Sequence, residues 1–104
     1  MSRLDDMLGF LEQDPDDSFA RYAVALELRS AGRVPEAIEQ LEELRRRDPS
    51  YVATYYQLGE ILAQSGSIDR ADEAFRAGIE VARAVGDTHT RSELEAALDE
   101  LLDR

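Results

Sequence analysis

The side chains of this sequence that could do chemistry are few and scattered. His89 is the single histidine among 104 residues, and cysteine is absent, which excludes thiolate nucleophiles, disulfides and thiolate metal sites. A lone histidine lacks the further ligands of a transition-metal site, and as a general base it lacks an evident nucleophile and orienting acid. The sequence has no glycine-rich phosphate loop and no G-x-S-x-G motif. We therefore expect no catalytic residue, no cofactor and no metal, and a protein that is not an enzyme.

Two clusters of charged residues have simpler interpretations than ligand binding. Glu36, Glu39 and Glu43 recur at helical spacing, but calcium takes about six or more oxygen ligands from a loop, so a solvated helix face is favoured. Residues 45–47 are three arginines at a predicted helix C-terminus, where the helix dipole favours cations. Neither cluster predicts a metal or phosphate site.

Acidic residues dominate the charge of the chain. Twenty-three acids face twelve bases, all of them arginine, for a formal net charge of -11. Such a field repels phosphate backbones, so we expect no nucleic-acid partner. Two explanations stay open: attraction to a basic partner, or a solvated acidic surface of the kind suited to a high-salt cytosol. The acids are spread along the chain, which favours the second.

Length and hydropathy favour one domain in the cytoplasm. A chain of 104 residues is one domain by ordinary size statistics. No apolar run approaches the ~20 residues that span a bilayer, so no membrane partner is expected. Residues 1–10 carry acids where a signal peptide has its apolar stretch. The leading methionine and a complete last helix favour a whole protein over an excised domain.

An internal repeat of 34 residues organises the sequence. Asp14-Pro15 recurs as Asp48-Pro49, and seven identities relate residues 14–47 to 48–81. The remaining identical pairs are Tyr22/Tyr56, Leu28/Leu62, Gly32/Gly66, Ala37/Ala71 and Glu39/Glu73. A proline, a glycine and an aromatic residue in one register indicate a true duplication.

Start and stop signals divide each repeat into two helices. Gly32 and Gly66 are placed to end the first helix of each repeat in a left-handed conformation, and Pro35 suits the first turn of the next helix. The last helix of the second repeat is predicted to run to Val85, because Gly86 is the next stop signal. In chain order, the residues predicted to cap or open helices are Asp16 or Asp17, Ser50, Asp69, and Asp87 or Thr90.

Both ends of the chain are predicted to be helices that cover the repeats. Leu4, Met7 and Phe10 lie 34 residues before apolar positions of the first repeat, so residues 2–13 are predicted to be the second helix of a truncated repeat. The leucines of residues 88–103 form one apolar stripe, in repeat register only at an offset of 36. We therefore predict one all-α domain, 1–104, of about six helices in four segments: 2–13, 16–47, 50–85 and 88–103.

These residues resemble the tetratricopeptide repeat family, whose 34-residue unit has the pattern W-x2-L-G-x2-Y, then A-x3-F, then P. The second repeat matches it with Tyr55, Leu58, Gly59, Leu62, Ala71 and Phe75, and the first with Val24, Ala25, Leu28, Ala37, Leu41 and Pro49. Arg21 and Arg83 depart from the pattern where the family has an aromatic residue and a proline. The resemblance implies a right-handed superhelix of α-helical hairpins and a scaffold that binds proteins.

The resemblance also implies where a partner would bind. In the family the first helices of successive repeats line a concave groove, which here places Phe19, Tyr22, Leu26, Arg29, Tyr56, Gln57, Glu60 and Gln64 at the partner-binding surface. If the last helix also lines the groove, the offset of 36 adds His89, Ser92 and Ala96. An alternative is that Tyr22 and Tyr56 pack against each other and contact no ligand.

The resemblance leaves three functions to distinguish. The first is an adaptor that holds a peptide or helix in its groove, with a basic partner as one option; the others are a self-associating homodimer and a chaperone-like module for a basic or aggregation-prone partner. Clamping of a C-terminal carboxylate, known in the family, is not expected, because Glu60 occupies one of the clamp positions and would repel a carboxylate.

Overall fold

The computed structural model describes residues 2–103, and all regular structure in that range is α-helical. The six helices are α1 (Arg3–Gln13), α2 (Ser18–Ser30), α3 (Val34–Arg47), α4 (Ala53–Gln64), α5 (Ile68–Val85) and α6 (Thr88–Leu102). They fall into two compact units, Met1–Asp48 with α1 to α3 and Pro49–Arg104 with α4 to α6. No helix in the described range is long and apolar enough to cross a membrane. The predicted all-α repeat fold is confirmed.

Side-chain caps and a glycine set the helix ends of the first unit. Ser2 and Asp5 form a capping box: the Ser2 hydroxyl accepts from the Asp5 amide at 3.1 Å, and the Ser2 amide donates to the Asp5 carboxylate at 3.3 Å. Asp17 caps α2, since its carboxylate accepts from the Ala20 amide at 3.0 Å. Gly32 follows α2 with φ 76°, as its predicted role in ending the helix requires.

The second unit differs from prediction at the start of α4. Ser50 does not cap this helix: Val52 occupies the cap position in helical conformation, and no side chain caps it. Backbone bonds of a tightened first turn replace the cap, with the Thr54 amide donating to the Tyr51 carbonyl at 3.2 Å. Ser50 lies two residues before the cap position.

The predicted end of α5 and start of α6 are confirmed, whereas Asp69, which was predicted to open α5, lies in its first turn and Ser67 takes the cap position. α5 continues to Val85 and ends at Gly86, which has φ 78°. Of the two candidates for the α6 cap, Asp87 is the one used: its carboxylate accepts from the Thr90 amide at 3.0 Å. That hydrogen bond and the one from the Thr90 hydroxyl stabilise the carboxylate, which lowers the pKa of Asp87.

Each unit buries most of the apolar positions predicted for its helices, although Phe10 of α1 and Leu102 of α6 are exposed. In the first, α2 packs on both α1 and α3, with Val24, Ala37 and Leu41 buried among them. In the second, α5 packs on α4 and α6 around the fully buried Phe75. A methyl group added at Gly59 would clash with the Phe75 ring, so helix α4 can approach α5 this closely only with glycine at that position.

Arg21 and Tyr55 make the same contact at the same position of the two repeats. The Tyr55 hydroxyl donates to the Pro49 carbonyl at 2.6 Å, and the Arg21 guanidinium donates to the Pro15 carbonyl at 3.0 Å. Both side chains are buried, and each hydrogen bond ties the start of a repeat to its own first helix. Arg21 therefore departs from the family pattern in residue type while keeping the hydrogen bond.

Candidate functional site

Helix α2 carries the predicted partner-binding residues of the first unit on one face. Phe19, Tyr22, Leu26 and Arg29 are spaced by three or four residues, which places them in a row along the helix. Phe19 leaves 63% of its surface exposed, and the other three are half-buried. The row combines aromatic, aliphatic and cationic side chains that a partner can reach.

Helix α4 presents the corresponding residues of the second unit. Tyr56, Gln57 and Glu60 are half-buried and Gln64 is exposed. The Tyr56 ring also packs on Phe75, with centroids 6.4 Å apart and planes inclined by 56°. Tyr56 thus combines a packing contact inside its own unit with a partly exposed surface.

Carboxylates surround the Tyr56 hydroxyl. Partial burial, then the negative charges of Glu60 and Glu93, raise the pKa of Tyr56, with a smaller contribution from Glu100. The phenol therefore stays protonated at neutral pH.

A small hollow opens beside this tyrosine, within the second unit. Its volume is about 60 Å³, and it is lined by Glu60, Ala63, Phe75, Ala97, Glu100 and Leu101. Only Glu60 of these was predicted as a site residue. Ala97, Glu100 and Leu101 share a face of α6 at spacings of three and four, which is the sequence signal that could have indicated them. His89, Ser92 and Ala96, which the offset of 36 suggested, do not line it.

Several residues of the two charged clusters form ion pairs, namely Glu36, Glu43, Arg46 and Arg47. Glu43 pairs with Arg46 and with Arg47, each at 2.5 Å, and these contacts lower the pKa of Glu43 to about 2. Glu36 pairs with Arg33 at 2.5 Å. Among residues 2–103, no group of three or more histidine or acidic side chains is arranged to hold a metal ion.

The comparison with known proteins identifies the same helical repeat fold that the structure shows. A family profile described as tetratricopeptide repeat matches residues 28–86. A tetratricopeptide repeat domain protein from Salinibacter ruber, solved by NMR, is 40% identical, with a TM-score of 0.80 over 85% of this chain and 89% of that one. No curated protein sequence matches the chain.

Two more distant structures share the fold. The TPR2B domain of yeast Sti1, in a complex with pHsp70, is 17% identical with a TM-score of 0.90, over 96% of this chain and 80% of that one. PcrH, in complex with the chaperone binding region of PopD, is 18% identical with a TM-score of 0.88, over 98% and 80%.

Proposed function

This chain belongs to the tetratricopeptide repeat family, and from that premise we propose that it is a non-enzymatic module that binds a partner protein or peptide in the concave groove implied by its repeats. Domains of the same fold in Sti1 and PcrH form complexes with pHsp70 and with a segment of PopD. Their sequence identity to this chain is low, so the identity and chemistry of its partner must come from its own side chains.

The observation that carries the proposal is the repeated tyrosine. Tyr22 and Tyr56 occupy the same position of the two repeats, and both are half-buried on helix faces that also carry polar side chains. Tyrosine offers a large contact area with few rotatable bonds, which is why it is frequent among the residues that dominate binding energy. We assign the partner contact to these faces of α2 and α4.

Charge favours a basic partner segment. The net charge of -11 attracts cations over a distance set by ionic strength, and Glu60 lies on the same α4 face as Tyr56. A partner with basic residues beside an apolar anchor fits both properties. The same chemistry would suit a chaperone-like role for a basic segment.

Affinity capture from the source cytosol, followed by binding measurements with the purified partner, tests the proposal. Tyr22→Ala should weaken binding ~30-fold, equivalent to ~2 kcal/mol, as for other aromatic anchors. Phe10→Ala is the matched control, because Phe10 is an exposed aromatic residue outside the predicted surface. If both substitutions weaken binding equally while the fold is retained, the α2 face is not the binding surface.

The charge component has its own test. Glu60→Arg should slow association more at ~10 mM than at ~0.5 M salt, because screening removes long-range attraction. Glu39→Arg is the control, an exposed acid of α3 with the same charge change. Equal effects of the two reversals would mean that only the total charge matters.

Self-association is a second candidate, favoured by α1. Phe10 leaves 54% of its surface exposed, and Met7 on the same face is half-buried. A second copy could cover this apolar face. Light scattering at two concentrations should then show a dimer that Phe10→Glu abolishes; a monomeric mass at both concentrations would exclude this candidate.

A further inference from the structure

The hollow of the second unit has a small apolar floor and an acidic rim, and most of the surface that it exposes is polar. Ala63, Phe75, Ala97 and Leu101 line it together with the carboxylate-bearing Glu60 and Glu100. The four apolar residues are buried, whereas Glu60 is half-buried and Glu100 exposed. The hollow exists because α4 and α6 both place alanine there, and a longer side chain at either position would fill it.

The rim carboxylates have no cationic partner within the described range. Of residues 2–103, no arginine or histidine forms an ion pair with Glu60 or Glu100, although ion pairs occupy many other acids of the chain. The Tyr56 phenol, whose pKa the charge of Glu60 raises, is neutral and cancels none of that charge. Within residues 2–103, the rim thus leaves two carboxylates without a cationic partner beside buried apolar residues.

A lysine or arginine side chain is complementary to this arrangement. Its methylene stem packs on apolar surface while its cationic head stays near water, and charge-assisted hydrogen bonds to carboxylates are stronger than neutral ones. An apolar side chain would use the floor but bring the two carboxylates near a group that cannot pair with them. An acidic one would be repelled.

We propose that this hollow, lined by Phe75, Ala97 and Leu101 and edged by Glu60 and Glu100, is a pocket for one basic side chain of a bound partner. The proposal rests on the protein-binding function proposed above and names the chemistry of one partner residue. The stem of that residue lies against Phe75 and Ala97, and its head lies between the two carboxylates.

NMR titration of the ¹⁵N-labelled full chain with the peptide Ac-Ala-Lys-Ala-NH2 tests the pocket. The amide signals of Ala63, Ala97 and Leu101 should shift saturably, and the norleucine analogue, which keeps the stem and lacks the charge, should shift them far less. Glu60→Gln/Glu100→Gln should weaken the lysine peptide about tenfold, the combined effect of two partly exposed ion pairs.

Two controls separate the pocket from general charge. Glu95→Gln/Asp99→Asn removes the same two charges from exposed positions of α6 outside the hollow and should change the affinity less than about twofold. Ala97→Leu keeps every carboxylate but fills the hollow, and it should abolish the signal shifts. Equal shifts with norleucine, or equal losses in both charge variants, would overturn the pocket.

The pocket and the proposed function can fail separately. If a captured protein partner binds the Glu60→Gln/Glu100→Gln and Ala97→Leu variants as tightly as wild type, the module function stands and the pocket is wrong. If the lysine peptide binds as expected while no protein partner depends on the α2 and α4 faces, the pocket stands and the proposed groove fails.

Discussion

Arg21 and Tyr55 occupy the same position of the two repeats and make the same hydrogen bond with different side chains. Each is buried and donates to the carbonyl of the proline six residues earlier, and Arg21 donates in addition to the Gln40 side chain at 2.7 Å. Burial, and then the charge of nearby Arg47, lowers the pKa of Arg21. The extra hydrogen bonds of a guanidinium offset part of that desolvation, which explains how a charged residue occupies an aromatic position.

Replacing Arg21 tests this explanation. Arg21→Met removes the donors while keeping much of the apolar stem, and we expect it to lower the free energy of unfolding by ~1–2 kcal/mol. The Gln40 side-chain oxygen loses the Arg21 donor, and the Pro15 carbonyl keeps only the longer hydrogen bond from Arg47 at 3.3 Å. Arg21→Tyr should cost less, because a phenol at this position can reach the proline carbonyl as Tyr55 does. Urea denaturation followed by circular dichroism measures both, and a larger loss for tyrosine than for methionine would contradict the account.

Gly59 and Phe75 are coupled in the packing of the second unit. Gly59→Ala should destabilise the protein by ~1–3 kcal/mol through overpacking against the Phe75 ring, although alanine is the better helix former. The first repeat carries Ala25 and Leu41 at the same positions, both buried. Adding Phe75→Leu to Gly59→Ala should therefore recover stability relative to Gly59→Ala alone. A double-mutant cycle measures the coupling between the two positions. Strictly additive effects would show that the contact with Phe75 does not limit the size of the side chain at position 59.

At the scale of the helices, the C-terminus of α3 is stabilised by the Glu43 carboxylate, which lies between two arginines. Glu43 pairs with Arg46 and Arg47, and Arg47 also contacts Asp16 at 2.9 Å, which joins the C-terminus of α3 to the segment before α2. Because the pKa of Glu43 falls from 4.5 to about 2, its pairing contributes stability above pH 4.5 that is lost as the pH falls toward 2.

A pH series on one variant checks that contribution. The wild type should be more stable than Glu43→Gln by a constant amount above about pH 5, and the difference should shrink between pH 4.5 and about 2. Glu39→Gln, an exposed substitution on the same helix, is the control and should show a smaller difference that changes little. A Glu43→Gln difference that grows toward low pH would have the wrong sign for this ion pair.

Local signals in the sequence predicted the helices better than the candidate site. Gly32, Gly66 and Gly86 end helices where predicted, because a left-handed residue there has few substitutes. Val52, and not the predicted Ser50, takes the cap position of α4, and backbone hydrogen bonds close its first turn. The hollow was missed because it depends on how α4 and α6 approach, and an alanine such as Ala97 is equally typical of tight packing and of an open space.

The whole molecule carries more negative charge than its arginines can compensate. Twelve arginines paired one to one leave eleven of the twenty-three acids without a basic partner. The melting temperature should therefore rise between ~10 mM and ~1 M potassium chloride, as the Debye length falls from ~30 Å to ~3 Å and repulsion is screened. Thermal denaturation across that range is the measurement. A flat or falling curve would indicate that attractive ion pairs outweigh repulsion.

The coupling of Gly59 to Phe75 has a consequence for how such a repeat protein can evolve. Suppose that recombination exchanged one helix of the first repeat for its counterpart in the second. One product would then place Ala25 against Phe75, and the other would place Gly59 against Leu41. We expect the first hybrid to be overpacked and the second to have a gap, so that both are less stable than either parent. We therefore expect a change at one of these two positions to need a matching change at the other, so that the two helices of a repeat diverge together.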